Sequence, residues 1–222
     1  MKQINPLMRK MVVFDMDNTV LQGKFIDACA KKYNFRQALA LLQNIDKNSI
    51  SLARRIGSFL KAKPVQELVK IADEIPLVRD IPDVVKELKL RRYDVGLICD
   101  SYDIIAQHIA KKIGADFYLS YQLQQIENVS TGEVTIPSYF YYCEDSSCDH
   151  PVCKTNALRH VCRQHNATLQ NCIVVGDGET DACMLSHAGI GVAFCTSGEL
   201  VKKMSEKQID KPAFSELLEY AP

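Results

Sequence analysis

Four short apolar segments, rich in β-branched residues, recur along the chain, and each ends at polar or small residues. They are Met11 to Phe14, Val95 to Ile98, Cys172 to Val175 and Ile190 to Phe194. Strands that are buried on both faces have such nearly continuous apolar sequences, which are typical of parallel sheets. The pattern predicts four parallel strands, and we expect the residues after each strand to lie at the edge of the sheet where ligands bind.

Helical periodicity fills most of the segments between these strands. Apolar residues recur at helical spacing in Ile81 to Arg92, Ile104 to Ile113, Asn156 to Gln164 and Asp181 to Ala188. Strands that alternate with helices favour the α/β class, with a doubly wound parallel sheet.

One region, from Lys24 to Glu74, departs from this alternation because it shows only helical periodicity. Its predicted helices are Ile26 to Lys32, Arg36 to Leu42, Ser51 to Leu60 and Val65 to Ala72. We expect a small helical cap over residues 23–75, inserted after the first strand. The catalytic core would then comprise residues 1–22 and 76–222.

Two further segments lie between the second and third predicted strands of the core. Alternation over Tyr121 to Ile136, with Thr131-Gly132 at its middle, predicts a β-hairpin with its turn at that dipeptide. The polar, aperiodic stretch from Pro137 to Pro151 predicts a loop.

Two carboxylates, Asp15 and Asp17, follow the first strand, and Thr19 closes the motif. Residues i and i+2 of an extended segment point to one face, so the two side chains converge. Such close anions repel unless a cation or a raised pKa compensates, and a divalent metal ion would do so. We interpret Asp15 as a nucleophile toward phosphorus and Asp17 as the acid that protonates the leaving oxygen and later activates water.

The third strand runs into a second group of carboxylates, Asp177, Glu179 and Asp181, with glycines at 176 and 178. Asp15, the main-chain carbonyl of Asp17, and Asp177 would provide the oxygen ligands that Mg²⁺ prefers. We expect Asp181 to assist catalysis by contacting these ligands and not the metal ion itself. The alternative is an ordinary turn followed by a helix N-cap.

These motifs occur in an order that resembles the haloacid dehalogenase superfamily: Asp15 to Thr19, Cys99 to Asp103, Lys154, and Gly176 to Asp181. A helical insert after the first motif is similar to the phosphoserine phosphatase-like branch of that superfamily, subfamily IB. The resemblance implies a Rossmann-like core, Mg²⁺ and an aspartyl-phosphate intermediate. It also implies that Lys154 neutralises the phosphate and Asp15.

The second motif departs from the pattern of the family, whose members usually have Ser or Thr where this chain has Cys99. A thiol is a weaker hydrogen-bond donor than a hydroxyl. We therefore assign phosphate binding to Cys99, Asp100 and Ser101 together. Either the main-chain amides carry more of the phosphate, or Ser101 supplies the hydroxyl.

The predicted cap also differs from phosphoserine phosphatases, in which a cap glutamate binds the ammonium of the substrate and a cap arginine binds its carboxylate. The glutamate position is Lys24 here, and Arg55 lies near the arginine position. Lys24 and Arg55 could together bind an anionic group of the substrate. The alternative is that both are solvated surface charges.

Nine cysteines are scattered along the chain, an odd number that favours thiols or metal ligands over disulfides. We expect Cys29, Cys162, Cys172 and Cys183 in the core or on helix faces. Four possible soft ligands precede Lys154 directly, and they could hold a structural Zn²⁺: Cys143, Cys148, His150 and Cys153. The alternative is a loop with unligated thiols.

Acidic and basic residues are equal in number, 27 of each, without a basic stripe or charge block. This balance argues against a nucleic-acid or membrane partner and favours a small one. Met1 to Lys10 lacks the apolar core of a signal peptide, and no segment has the length of a membrane span, so we expect a cytoplasmic protein. The oligomeric state is left open.

The combined motifs predict a Mg²⁺-dependent phosphatase that hydrolyses a small phosphorylated metabolite through an aspartyl-phosphate. Phosphoserine hydrolysis and phosphotransfer to an alcohol are the alternatives within the same chemistry. Cys99 keeps open an alternative of another class, a catalytically weak protein that binds phosphorylated metabolites.

Overall fold

A seven-stranded sheet forms the centre of the protein in a computed structural model that describes residues 8–222. The strands are β1 (Lys10–Phe14), β2 (Tyr93–Tyr102), β3 (Phe117–Ile126), β4 (Val129–Thr135), β5 (Cys172–Gly176), β6 (Ile190–Phe194) and β7 (Lys207–Ile209). Their order is β4-β3-β2-β1-β5-β6-β7, and every neighbouring pair is parallel except β3 and β4. Strands β2 to β4 lie on one side of β1, and β5 to β7 lie on the other. The order of the strands therefore reverses between β1 and β5, and a crevice is expected at the carboxyl ends of these two strands.

The helices follow the strands in the alternation that the sequence predicts. They are α1 (Phe25–Lys32), α2 (Arg36–Ile45), α3 (Ser49–Ser58), α4 (Val65–Asp73), α5 (Ile81–Leu90), α6 (Asp103–Ile113), α7 (Lys154–Gln164), α8 (Glu179–His187), α9 (Glu199–Met204) and α10 (Leu217–Tyr220). Met11, Val12, Val13 and Phe14 of the central strand have no exposed surface, as expected for a strand covered on both faces. The predicted α/β doubly wound fold is confirmed.

The hairpin is present, but its predicted turn is wrong. The chain reverses at Glu127 and Asn128, which have φ angles of +50° and +63°, and not at Thr131-Gly132. Gly132 instead lies against the helical insert, where an added Cβ would come within 2.9 Å of the Lys61 side chain. The glycine thus permits a close approach and does not form the turn.

The helical insert is joined to the hairpin by main-chain hydrogen bonds. The N–H of Ala62 donates to Ser130 O at 2.8 Å, and the N–H of Ser130 donates to Lys63 O at 2.9 Å. The segment between α3 and α4 therefore covers the edge of the sheet at β4. An uncovered edge strand would present unpaired N–H and C=O groups to other chains. The division into a cap of residues 23–75 and a core of the remaining residues stays a prediction.

Within residues 8–222, none of the helices has both the length and the apolar character that crossing a bilayer requires. The prediction about the N-terminal segment falls mostly on residues 1–7, which lie outside the described part of the chain.

Candidate active site

The first carboxylate pair lies where β1 ends. The N–H of Asp15 donates to Val175 O on β5 at 2.8 Å, which holds Asp15 at the switch point of the sheet. Asn18 then takes a left-handed conformation, with φ at +58°, and turns the chain. Asp17 Oδ1 accepts a 2.8 Å hydrogen bond from the N–H of Phe25, the first residue of α1. The two carboxylates are thus held by different elements.

Lys154, the first residue of α7, brings a positive charge to this pair. Its Nζ lies 2.6 Å from Asp15 Oδ1 and 2.8 Å from Asp181 Oδ1, and the Lys154 side chain is only 4% exposed. Asp100 Oδ1 is further away, at 3.9 Å. A single ammonium therefore links Asp15, directly after β1, with Asp181 in α8.

The turn after β5 holds the other two carboxylates. Thr19 Oγ1 donates to Asp177 Oδ1 at 3.0 Å, and Asp181 Oδ2 accepts the main-chain N–H groups of Asp177 at 3.2 Å and Gly178 at 3.0 Å. Gly176 is required here, because a Cβ at this position would come within 2.6 Å of the Asp181 carboxyl group.

Electrostatics at the site follow from the crowding of buried acids. Burial and the neighbouring Asp181 raise the pKa of Asp15 well above its ordinary value, although Lys154 opposes them. Burial also raises the pKa of Asp17 to about 7, against the hydrogen bond from Phe25. Burial acts to lower the pKa of Lys154, but Asp15 and Asp181 raise it well above its ordinary value. Lys154 is therefore positively charged. Its single charge does not balance the negative charges of the acids around it, so the pKa values of Asp15 and Asp17 stay raised.

A divalent metal ion fits this arrangement. Asp15, Asp177 and Asp181 each offer a carboxylate oxygen, and these atoms lie within 4.8 Å of one another. Three acids with one lysine leave an excess of negative charge, and hard oxygen ligands are those that Mg²⁺ selects. The donor set therefore suits Mg²⁺.

A cavity of about 420 Å³ opens above these residues. Its floor includes Asp15, Asp17, Asp100, Ser101, Lys154, Asp177 and Asp181, so the structure brings most of the predicted site residues to one space. Lys24, Gln43, Leu52 and Ile56 form the opposite wall, from the helical insert.

Two residues that were predicted to bind the phosphate or the substrate do not line this cavity. The Cys99 thiol is fully buried and does not line the cavity, and burial raises its pKa well above the ordinary value. Arg55 Nη1 pairs with Asp46 Oδ2 at 3.1 Å, and its side chain is 53% exposed. Of the three residues predicted to bind phosphate at this turn, Asp100 and Ser101 line the cavity, and of the two predicted cap cations only Lys24 does.

The predicted cysteine–histidine group needs a correction as well. Cys143 is exposed and contacts Ser146 Oγ at 3.6 Å, whereas Cys183 on α8 joins Cys148, His150 and Cys153 in one cluster. Cys29, Cys162 and Cys172 are buried, as expected.

Sequence reasoning also missed Tyr121 and Gln43, which line the cavity. Tyr121 pairs with Tyr102 in the register between β3 and β2, so the parallel half of β3 places it at the carboxyl edge. Prediction of a parallel strand that begins at Phe117 would have placed Tyr121 at this edge of the sheet. Gln43 had no signal, because its position depends on how α2 packs.

The fold and site together define a class, an α/β protein with a doubly wound parallel sheet and with carboxylates and a lysine at its switch point. A family model for haloacid dehalogenase-like hydrolases matches residues 9–189. The chain belongs to that family, which confirms the resemblance seen in the motifs.

Individual relatives are phosphoserine phosphatases. The one from Methanocaldococcus jannaschii is 26% identical, with 96% of this chain and 97% of that protein covered. A phosphoserine phosphatase of Mycobacterium tuberculosis is 25% identical over 95% of this chain, which spans 50% of that protein. A solved structure described as a phospho-aspartyl intermediate analogue of phosphoserine phosphatase matches with a TM-score of 0.80 and 25% identity, over 97% of this chain and 100% of that one.

Proposed function

We propose that this protein is a Mg²⁺-dependent phosphomonoester hydrolase that acts on a small phosphorylated metabolite through a phosphorylated Asp15. The observation that carries the proposal is the contact of Asp15 with Lys154 at the floor of a cavity that also holds Asp17. Phosphate ester hydrolysis is extremely slow in water, so nucleophile, acid and positive charge must be held in one place.

Asp15 is suited to attack phosphorus because its backbone is fixed by β5 and its carboxylate is held by Lys154. In the first step, an Asp15 oxygen forms a bond to phosphorus, and the bond from phosphorus to the leaving oxygen breaks with its electron pair. Lys154 stabilises the negative charge on Asp15 and on the phosphoryl oxygens. Asp15, Asp177 and the main-chain carbonyl of Asp17 would hold the Mg²⁺ ion, which would supply further charge stabilisation, while Asp181 holds Lys154.

Asp17 is suited to move the proton because its pKa of about 7 lets it be either protonated or ionised near neutral pH. In the first step it gives its proton to the leaving oxygen. It then takes a proton from the water that attacks phosphorus, and the Asp15 carboxylate is released with inorganic phosphate. The Phe25 N–H keeps Asp17 pointed toward the cavity.

The leaving group would lie between Lys24 and the apolar side chains of Leu52 and Ile56. Lys24 is the charged residue that the helical insert contributes to this cavity wall. A cation there would attract an anionic or acceptor group and repel an ammonium. The substrate class that fits is a small phosphate ester with an acceptor group and an apolar portion.

Phosphoserine is the competing substrate, because the relatives from Methanocaldococcus jannaschii and Mycobacterium tuberculosis are phosphoserine phosphatases. Its ammonium group would have to lie against Lys24 or against the acids of the floor. A panel of phosphorylated metabolites, assayed with the natural chain and with Lys24→Glu, separates the two. A preference for phosphoserine by the natural chain would contradict the Lys24 assignment.

The activity itself is tested by Mg²⁺-dependent release of phosphate from para-nitrophenyl phosphate. We expect Asp15→Asn to reduce release to background. The matched control is Asp116→Asn, which removes an acid that pairs with Lys89 and accepts the N–H of Val95 near the amino-terminal ends of β2 and β3, at the opposite edge of the sheet from the site. Equal release by the natural chain and Asp15→Asn would show that Asp15 is not the nucleophile. Release near background by the natural chain would favour the alternative of a weakly catalytic binding protein.

A further inference from the structure

A second set of metal-binding side chains lies beside the candidate active site. Cys148, His150, Cys153 and Cys183 each offer one ligand atom, and these four atoms lie within 4.8 Å of one another. Three of the residues come from the loop before α7, and the fourth comes from α8. They line a cavity of about 640 Å³ that shares Lys154 with the active-site cavity.

We propose that these four residues, hereafter the Cys₃His cluster, bind one Zn²⁺ ion as a structural site. Zinc takes four ligands in a tetrahedron, with Zn–S distances of about 2.3 Å and Zn–N distances of about 2.0–2.1 Å, which place the ligand atoms roughly 3.5–3.8 Å apart. Side-chain rotations that bring the cluster together by about 1 Å would satisfy this geometry.

The chemistry of the donors distinguishes this site from the carboxylate site. Three thiols and an imidazole are soft or intermediate ligands, which select zinc and disfavour Mg²⁺. Four protein ligands leave no open position for water or substrate. The Cys₃His cluster therefore has the composition of a closed structural site, whereas the acids around Asp15 form an open one.

A hydroxyl group lies beside one thiol of the Cys₃His cluster. Cys153 Sγ lies 3.3 Å from Thr155 Oγ1, a hydroxyl that can donate once the thiol loses its proton. Such donors to a ligand atom orient it and stabilise its deprotonated form.

The loop that supplies three of the ligands gives a second reason for a metal ion. It runs from Tyr141 to Cys153 without a helix or strand, apart from one bridge between Tyr141 and Val152. Loops of this length without regular structure are uncommon in compact domains unless they are functional. A metal ion would fix the loop by joining it to α8.

The position of the Cys₃His cluster gives the ion a consequence for catalysis. Cys153 is the N-cap of α7 and directly precedes Lys154, and Cys183 lies two residues after Asp181 on α8. A bond from each cysteine to one ion would link the two helices where Lys154 meets Asp181 at 2.8 Å. Zinc would thus position Lys154 against Asp15 without contacting the substrate.

The test measures zinc in protein purified without chelator. We expect close to one zinc ion per chain in the natural protein, and a loss of most of it in Cys183→Ser and Cys153→Ser. Cys143→Ser is the matched control, because Cys143 is exposed and lies outside the Cys₃His cluster although it is near in sequence. Zinc loss in Cys143→Ser equal to that in Cys183→Ser would overturn the assignment.

A second measurement uses the natural protein, so its result does not depend on whether the variants fold. Cobalt added to the metal-free natural protein is expected to give the visible absorption of a tetrahedral thiolate complex, which zinc then displaces. After chelation and restoration of Mg²⁺ alone, we expect a lower unfolding temperature and a roughly tenfold lower phosphatase rate, both recovered by zinc. Full recovery with Mg²⁺ alone, absence of the cobalt spectrum, or a disulfide within the Cys₃His cluster would contradict the proposal.

The metal measurements do not depend on the proposed activity. If the natural protein binds zinc but releases no phosphate, the zinc site stands and the phosphatase assignment fails. If it releases phosphate but binds neither zinc nor cobalt, the opposite holds.

Discussion

The ammonium of Lys154 lies 2.6 Å from the carboxylate of Asp15, and both side chains are about 5% exposed or less. The two residues are 139 positions apart; Lys154 begins α7, and Asp15 directly follows β1. Removing one member of a buried ion pair leaves the other unpaired, which costs about 3–5 kcal/mol unless that group changes its protonation. The pair therefore connects the stability of the core with the chemistry of the site.

The first prediction is that Lys154→Met lowers the rate of phosphate release by about 10²–10³-fold at saturating Mg²⁺, because it removes positive charge where the transition state gains negative charge. Urea unfolding should also show lower stability. Lys89→Met is the control, since Lys89 pairs with Asp116 at 2.6 Å but is 42% exposed, and surface pairs contribute only about 0–1 kcal/mol. Natural activity in Lys154→Met would contradict the assigned role.

A second prediction concerns pH. The pKa of Asp17 is raised to about 7, so the protonated form that donates to the leaving oxygen is present below this pH and is lost above it. We expect kcat/KM for alkyl phosphates to fall as the pH rises through about 7. Asp17→Asn should remove this dependence. An aryl phosphate such as para-nitrophenyl phosphate has a good leaving group and should show a weaker decline; an identical decline would argue against proton donation by Asp17.

The third prediction concerns Thr19, which has no exposed surface and donates to Asp177 at 3.0 Å. Groups that orient a metal ligand typically contribute 10–100-fold to metal affinity, as an order of magnitude. Thr19→Val should therefore raise the Mg²⁺ concentration needed for half-maximal activity about tenfold, with little change in the rate at saturating Mg²⁺. Thr19→Ser keeps the hydroxyl and should behave like the natural chain. A Mg²⁺ titration distinguishes the variants. Equal half-maximal Mg²⁺ concentrations for Thr19→Val and the natural chain would show that Thr19 does not orient Asp177 for the metal ion.

Acid stability provides a fourth prediction, away from the active site. Burial would raise the pKa of Asp94, but hydrogen bonds with Arg9 and with His165 Nδ1, the latter at 3.0 Å, hold it below its usual range. A depressed folded-state pKa adds stability above the unfolded-state pKa of about 3.9, and this stability is lost as the pH falls through the folded-state value. Asp94→Asn should therefore lower the urea midpoint at neutral pH, and the difference from the natural chain should shrink below about pH 4. A difference that is constant with pH would show that the charge of Asp94 is unimportant.

Much of the site could be predicted from the sequence because its residues follow buried parallel strands. Such strands have a clear apolar signature, and their carboxyl ends meet at one edge of the sheet, so Asp15 and Asp177 were expected close together. The helical insert was equally visible, since it interrupts the alternation of strands and helices.

Contacts between distant elements could not be predicted in the same way. Arg55 pairs with Asp46 because the turn between α2 and α3 brings that acid near, and the spacing of residues does not reveal this pairing. Cys183 lies on the face of α8 toward the loop before α7, so its place in the Cys₃His cluster depends on how loop and helix pack. Tyr121 depends on the register of β3 beside β2. Packing and register involve the whole fold, whereas a motif is local.

The most direct test of the account is to identify the residue that carries phosphate during turnover. The protein is mixed with an isotopically labelled phosphate ester and Mg²⁺, quenched rapidly in acid, and digested for mass spectrometry. We expect a phosphate on Asp15 that hydroxylamine releases, as is usual for an acyl phosphate, and no such label in Asp15→Asn. Label on another residue, or turnover by the natural chain that Asp15→Asn matches, would contradict the account.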